Sequence, residues 1–190
     1  MSASVPEVLK DPTVVGSLIT GAVAFVAAGV AFAAGRMQGR GAHWGPVDAV
    51  RRQHQREAYA AFLADLWAYL GATNWEAVTR QTALDRLQAG LPVDEASVRM
   101  SSFTQVTTVS TNPIQASGSV VFLEGPDPVA LIAGAAHRAA NAVWLVAANA
   151  VSNPVAGGEM VTAYCVAHQK LFEQINFFAQ EARAHLNSKK

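Results

Sequence analysis

Cys165 and His168 are the two residues in this sequence whose types and spacing best suit metal or nucleophile chemistry. They lie three positions apart, so a helix would place both side chains on one face. A thiolate and an imidazole can ligate zinc together, but a site needs further ligands, and nothing marks His54 or His137 as the supplier. We keep the pair as weak metal candidates and favour a structural interpretation, with His168 hydrogen-bonded at the edge of a core and Cys165 a small buried residue.

Bundles that bind two metal ions use a different pattern, with a glutamate three positions before a histidine on each of two helices. The sequence instead places Glu181 four positions before His185, and His54 three positions before Glu57. It contains no glycine-rich phosphate loop, no Gly-x-Ser-x-Gly elbow and no His-Glu-x-x-His motif. We therefore predict no catalytic residues, no resident metal and no cofactor.

An apolar segment precedes all the elements that would position such residues. Residues 14–35 are 22 consecutive positions without a charge, in a chain of 190 residues that is 51% hydrophobic and 15% charged. A helix of this length would span roughly 33 Å, enough for a hydrocarbon core of about 30 Å. The segment predicts a single transmembrane helix, preceded by a short extracytoplasmic stretch, residues 1–13.

Two other interpretations of the apolar segment stay open. Residues 31–33, Ala-Phe-Ala, have the form of a signal-peptide cleavage site, but the preceding residues are not net basic and the segment exceeds a signal core of about 7 to 15 residues. A buried helix of a globular domain normally keeps a polar stripe, whereas Ser17 and Thr20 are the only polar side chains here. An uncleaved anchor is favoured over both.

Five arginines follow the apolar segment between residues 36 and 56, against one acidic residue, Asp48. Because short loops rich in Lys and Arg stay on the cytoplasmic side, we expect the N-terminus outside and the rest of the chain in the cytoplasm of a plasma membrane. Residues 36–46 would be a juxtamembrane linker. The residues predicted to lie at the lipid interface are Arg36, Arg40, Trp44, Arg51 and Arg52.

The net charge and the small residues of the predicted span indicate which partners the protein could bind. The formal net charge is zero, which argues against binding to nucleic acid. Small residues four positions apart within the span would let two such helices approach closely, and this self-association would depend on Gly21 and Gly29. Alanine-rich anchors also produce such spacings by chance.

Residues 47–190 predict an all-α domain, a cytoplasmic bundle of four or five helices. Pro46 would open the first helix and Gly71 end it. Thr73 and Glu76 fit a capping box that starts a second helix, which runs to about Ala89. The predicted apolar face of the first helix is Val47, Val50, His54, Ala58, Ala61, Phe62, Leu66, Tyr69 and Leu70, and the apolar residues of the second are Trp75, Val78, Leu84, Leu87 and Leu91.

The stretch from Pro92 to Glu124 is ambiguous, because it is rich in Ser, Thr and β-branched residues that favour strands. We prefer a helix over residues 93–110, a break at Asn112-Pro113 and a short helix to Leu123, since the neighbouring segments are helical.

Two long helices complete the predicted bundle. One runs from Pro128 to about Val151 and carries Arg138 near its middle, which indicates a buried bundle helix and not a second membrane span. The other covers residues 159–187. Its predicted apolar face is Val161, Tyr164, Cys165, His168, Leu171, Phe172, Ile175, Phe178, Ala179, Ala182 and Leu186.

Two segments, GPVDAVRRQHQREAYAAFL and VVFLEGPDPVALIAGAAHRAA, resemble landmarks of small, uncharacterised single-pass membrane proteins of high-GC actinobacteria. In those proteins an N-terminal anchor precedes an arginine-rich helix, and a Leu-Glu-Gly-Pro turn separates two later helices. The resemblance implies a bacterial plasma-membrane protein with a helical cytoplasmic domain. It brings no known activity and no functional residues.

These observations predict a non-enzymatic interaction module, tethered at the inner face of a bacterial plasma membrane, whose partners are the bilayer and either another protein or a second copy of the chain. Two alternatives stay open. One is a membrane-acting effector or immunity-type protein whose bundle controls oligomerisation of the span. The other is a bundle that binds a small ligand or metal around Tyr164, Cys165 and His168.

Overall fold

The computed structural model describes residues 48–153 and 157–188, and all regular structure in these two stretches is helical. The first helix, α1, covers residues 48–72. The helices that follow are α2 (Trp75–Gln88), α3 (Glu95–Thr108), α4 (Asn112–Glu124), α5 (Asp127–Ser152) and α6 (Gly157–Asn187). The prediction of an all-α bundle is confirmed for the described residues, which form six helices where four or five were predicted.

The chain divides into two compact units, Met1–Val50 and Arg51–Lys190. The second unit is the helical bundle, and the first is described only over residues 48–50. The predicted extracytoplasmic stretch (1–13), membrane span (14–35) and linker (36–46) lie outside the described residues. They therefore remain predictions.

The connection between α1 and α2 consists of Thr73 and Asn74. Asn74 is the N-cap of α2, because its side-chain oxygen accepts a hydrogen bond from the backbone N–H of Ala77 at 3.0 Å. The predicted cap, Thr73, instead turns its hydroxyl back to the carbonyl oxygen of Tyr69 at 2.8 Å. The capping signal is thus one residue later than predicted, and α1 continues past Gly71.

The ambiguous stretch after α2 is helical. Asp94 caps α3 by accepting a hydrogen bond from the backbone N–H of Ser97 at 2.9 Å. Hydrogen bonding from the side chain and then the backbone of Ser97 lowers the pKa of the Asp94 carboxyl group. Pro113 lies in the first turn of α4, where a missing N–H costs nothing. The preferred interpretation, two helices broken near Asn112, is therefore confirmed.

Helix α5 packs against α3, α4 and α6, most extensively against α6. Among the described residues it is the one helix long and apolar enough to cross a membrane by length and composition, a test that the core helix of a soluble protein also passes. Small side chains on its buried face allow close approach of the neighbouring helices. The buried residues are Val129, Ala130, Ala133, Gly134, Ala136, Ala139, Ala140, Val143, Ala147 and Ala150.

The large core side chains come mainly from α1 and α6. Phe62 and Phe178 meet edge to face with ring centroids 5.0 Å apart, and Tyr59 packs on the same Phe178 at 5.9 Å. Gln55 is buried beside them, and its amide nitrogen donates to the carbonyl oxygen of Glu124 at 2.6 Å. The buried face of α1 therefore differs from the predicted one, which had included His54, Ala61 and Val50, all exposed.

Candidate functional site

The C-terminal end of α1 is the point where the sequence-predicted residues of α6 meet the rest of the bundle. The last carbonyl groups of a helix have no partner within it. In this protein α6 supplies two of the missing donors. The hydroxyl of Tyr164 donates to the carbonyl oxygen of Thr73 at 2.5 Å, and Nε2 of His168 lies 3.0 Å from that of Leu70.

This geometry assigns the tautomer of His168. A carbonyl oxygen only accepts, so Nε2 must carry the proton and donate it to Leu70. The imidazole also stacks on the ring of Tyr164, with an interplanar angle of 24° and centroids 6.1 Å apart. Tyr164 and His168 therefore act as a pair, one helical turn apart, that caps α1 from outside.

A groove opens beside this cap. Its walls are the rings of Trp67 and Phe172, which meet edge to face with centroids 5.9 Å apart and are 43% and 40% exposed. The volume is about 400 Å³. We call it the aromatic groove, and its lining residues are Trp67, Leu70, Gly71, Asn74, His168, Gln169 and Phe172.

The chemistry of the aromatic groove is that of a binding surface. Two large aromatic rings and Leu70 offer apolar contact area, and the amide side chains of Asn74 and Gln169 can hydrogen-bond an incoming group. The proton on Nε2 of His168 is already donated to a backbone carbonyl. Such a groove can hold an apolar side chain.

Cys165 and His168 differ in their surroundings within the bundle. Cys165 is exposed on α6, whereas His168 is partly buried against α1. Within residues 48–153 and 157–188, no group of three or more His, Cys, Asp or Glu side chains is placed to hold a metal ion. The expectation that Cys165 is a buried residue is wrong, because its side chain is exposed on α6.

The remaining predicted site residues fall into two groups. Arg51 and Arg52 are exposed in the first turns of α1. Arg36, Arg40 and Trp44, like Gly21 and Gly29, lie outside the described residues.

No family model, no curated protein and no solved structure matches this chain.

The aromatic groove is not predicted by the sequence patterns. Phe172 was placed on the core face of the last helix because it fits the three-to-four spacing, and Trp67 was assigned to no face. The signal that could have indicated the groove is the spacing of Trp67 and Phe172 from the two residues that join α1 and α6. Trp67 lies three residues before the capped Leu70, and Phe172 lies four after the capping His168, so the same contact that caps α1 brings the two rings together.

Proposed function

We propose that this protein is a helical interaction module, tethered at the inner face of a bacterial plasma membrane, which binds a partner protein and is not an enzyme. The aromatic groove is the observation that carries the proposal. Two adjacent aromatic rings, each about 40% exposed, are the type of side chain that dominates binding energy at protein interfaces. The tether rests on the uncharged segment 14–35 and on the arginines that follow it.

The size of the groove indicates what it binds. A volume of about 400 Å³ has room for two or so large apolar side chains, too few for a whole domain. An amphipathic helix presents apolar side chains at this density along one face, with polar side chains beside them. We therefore propose that the partner packs one face of a helix onto the adjoining rings of Trp67 and Phe172, with Asn74 and Gln169 hydrogen-bonding at the rim.

A photo-crosslinking amino acid at position 169 tests this proposal in cells that make the full chain. Gln169 is exposed and lines the groove, whereas its neighbour Lys170 is exposed and does not, so position 170 is the matched control. We expect one discrete adduct in the membrane fraction from position 169 and none of comparable yield from position 170. Trp67→Ala should remove that adduct, because it takes away one wall of the groove.

Two tagged versions of the chain distinguish the possible occupants. An adduct that contains both tags would identify a second copy, and an adduct with one tag would identify another protein. Equal, diffuse crosslinking from positions 169 and 170, unaffected by Trp67→Ala, would contradict a groove-specific partner.

A further inference from the structure

A second groove lies between α1 and α6, away from the aromatic groove. It has a volume of about 330 Å³ and a floor of apolar atoms from Tyr59, Leu63, Ala182 and Leu186. Arg56 of α1 and Arg183 of α6 line it as well. We call it the arginine groove.

Both arginines are available to a ligand. The ion pairs among the described residues join Arg80 to Glu76 and Arg99 to Glu95, and neither Arg56 nor Arg183 takes part in one. Neither guanidinium forms a side-chain hydrogen bond within the described part of the chain. Two exposed cations that line one groove repel each other, and an anion between them would relieve this repulsion.

The charge on this face has one sign. An α-helix turns by 100° per residue, so Glu57 lies about 100° around α1 from Arg56, and Glu181 about 160° around α6 from Arg183. Arg52, by contrast, lies one turn before Arg56 on nearly the same stripe. The groove thus combines an apolar floor with a purely basic rim, which complements a ligand that is anionic at one end and apolar at the other.

We propose that the arginine groove binds the headgroup of an anionic phospholipid from the bilayer to which the protein is tethered, with the phosphate between Arg56 and Arg183 and the glycerol and upper acyl carbons over the apolar floor. This inference rests on the proposed tether, since α1 is the first described helix after the segment 14–35 and a tethered chain would meet lipid at high local concentration. Guanidinium groups suit this ligand because they form paired hydrogen bonds with phosphate oxygens.

A nitroxide label at the rim of the groove reports on the occupant. The full chain would carry Cys165→Ser and Asn187→Cys, since Asn187 lines the groove and is exposed. In nanodiscs of neutral phosphatidylcholine with an increasing fraction of phosphatidylglycerol, we expect the label to lose mobility. Arg56→Gln with Arg183→Gln should raise the half-saturating phosphatidylglycerol fraction at least ~10-fold.

The matched control is Arg80→Gln with Arg99→Gln, which removes two arginines already paired on α2 and α3 and should leave the label's response unchanged. Circular dichroism of both double variants would verify that the bundle is folded. A response that is the same with and without phosphatidylglycerol, in a chain that stays in carbonate-washed membranes, would overturn the lipid site and leave the tether intact. Release of the chain by carbonate would overturn the tether itself.

Two further results would also contradict a lipid occupant. An equal loss of mobility on adding soluble glycerol phosphate to neutral nanodiscs would assign the groove to free phosphate compounds. A loss of mobility in neutral lipid that disappears on dilution of the protein would assign it to a second copy of the chain.

Discussion

His168 donates a hydrogen bond from Nε2 to the carbonyl oxygen of Leu70, 3.0 Å away, and thereby joins α6 to the last turn of α1. His168→Leu removes this donor, so the partly buried carbonyl oxygen of Leu70 loses its hydrogen bond from α6. We expect the free energy of unfolding to fall by about 1 to 2 kcal/mol, measured by urea denaturation. His137→Leu is the control, because the bond of His137 to Asn141 is exposed and within one helix, so a change below about 0.5 kcal/mol is expected. Equal effects of the two substitutions would contradict the capping role.

Tyr164 and Tyr59 form a matched pair with opposite expected outcomes. Tyr164→Phe deletes the hydroxyl that caps Thr73, so a loss of about 1 to 3 kcal/mol is expected in the free energy of unfolding. The hydroxyl of Tyr59 is buried and has no hydrogen-bond partner within the described part of the chain. Tyr59→Phe removes an unsatisfied polar atom and should leave the unfolding free energy unchanged or raise it. Thermal denaturation of both variants would measure these changes. A larger loss of stability for Tyr59→Phe than for Tyr164→Phe would refute the capping role of Tyr164.

Alkaline pH should affect all three tyrosines together. Burial raises the pKa of Tyr59, Tyr69 and Tyr164 above the ordinary value of 10.0. The folded state thus favours the neutral phenols, so their contribution to stability is complete below pH 10 and is lost as the pH rises above it. We expect the rise of tyrosinate absorbance at 295 nm to be displaced above pH 10 and to coincide with the loss of helical circular dichroism. Ordinary titration near pH 10 with the helices intact would show that the phenols are accessible.

Gly125 and Gly71 test the difference between a crowded and an open position. A Cβ atom on Gly125 would lie 2.7 Å from the carbonyl oxygen of Val121 and 3.2 Å from the hydroxyl of Tyr59. Gly125→Ala should therefore lower the free energy of unfolding by about 1 to 3 kcal/mol. Gly71 is exposed within α1 and has no atom within 4 Å of that position, so Gly71→Ala should raise stability by up to about 1 kcal/mol. If Gly125→Ala instead raised the free energy of unfolding, the prediction would be contradicted, because the turn would then accommodate a Cβ atom.

Local signals in the sequence explain most of the helix boundaries. Asp94 before α3, Pro113 at the start of α4 and the Gly125-Pro126 break each act through backbone geometry or capping within a few residues. Such signals need no knowledge of what the helix packs against. The strand-favouring composition of residues 92–124 was overridden because the buried positions of α3 and α4 fit the three-to-four spacing of helices packed on α5.

The faces of the helices were harder to predict than their ends. Gln55 is buried because its amide bonds the carbonyl oxygen of Glu124, 69 positions later, and no local pattern contains that partner. Thr82 is also buried, and its hydroxyl donates a hydrogen bond to the side-chain oxygen of Gln105. Leu84 and Leu87 on the same helix are exposed. Hydrophobicity alone therefore misplaces positions whose burial depends on a distant hydrogen bond.

The sequence indicated some residues of the candidate site but not the grooves beside them. His168 and Tyr164 were identified as chemically notable, yet their function in the structure is to cap α1. The aromatic groove depends on the register of α6 against α1, which is a tertiary property. The arginine groove has the same origin, since Arg56 and Arg183 are 127 positions apart and only the packing of two helices brings them to one surface.

The most direct test of the tethered module uses the single cysteine of the chain. Cys165 is exposed on α6, so a membrane-impermeant maleimide should react with it wherever the reagent has access. In spheroplasts we predict labelling only after the membrane is permeabilised, with the labelled chain retained in carbonate-washed membranes. A variant with Cys165→Ser and Ser4→Cys should show the reverse, labelling without permeabilisation. Labelling of Cys165 in intact spheroplasts, or its release by carbonate, would contradict a bundle held at the inner face of the membrane.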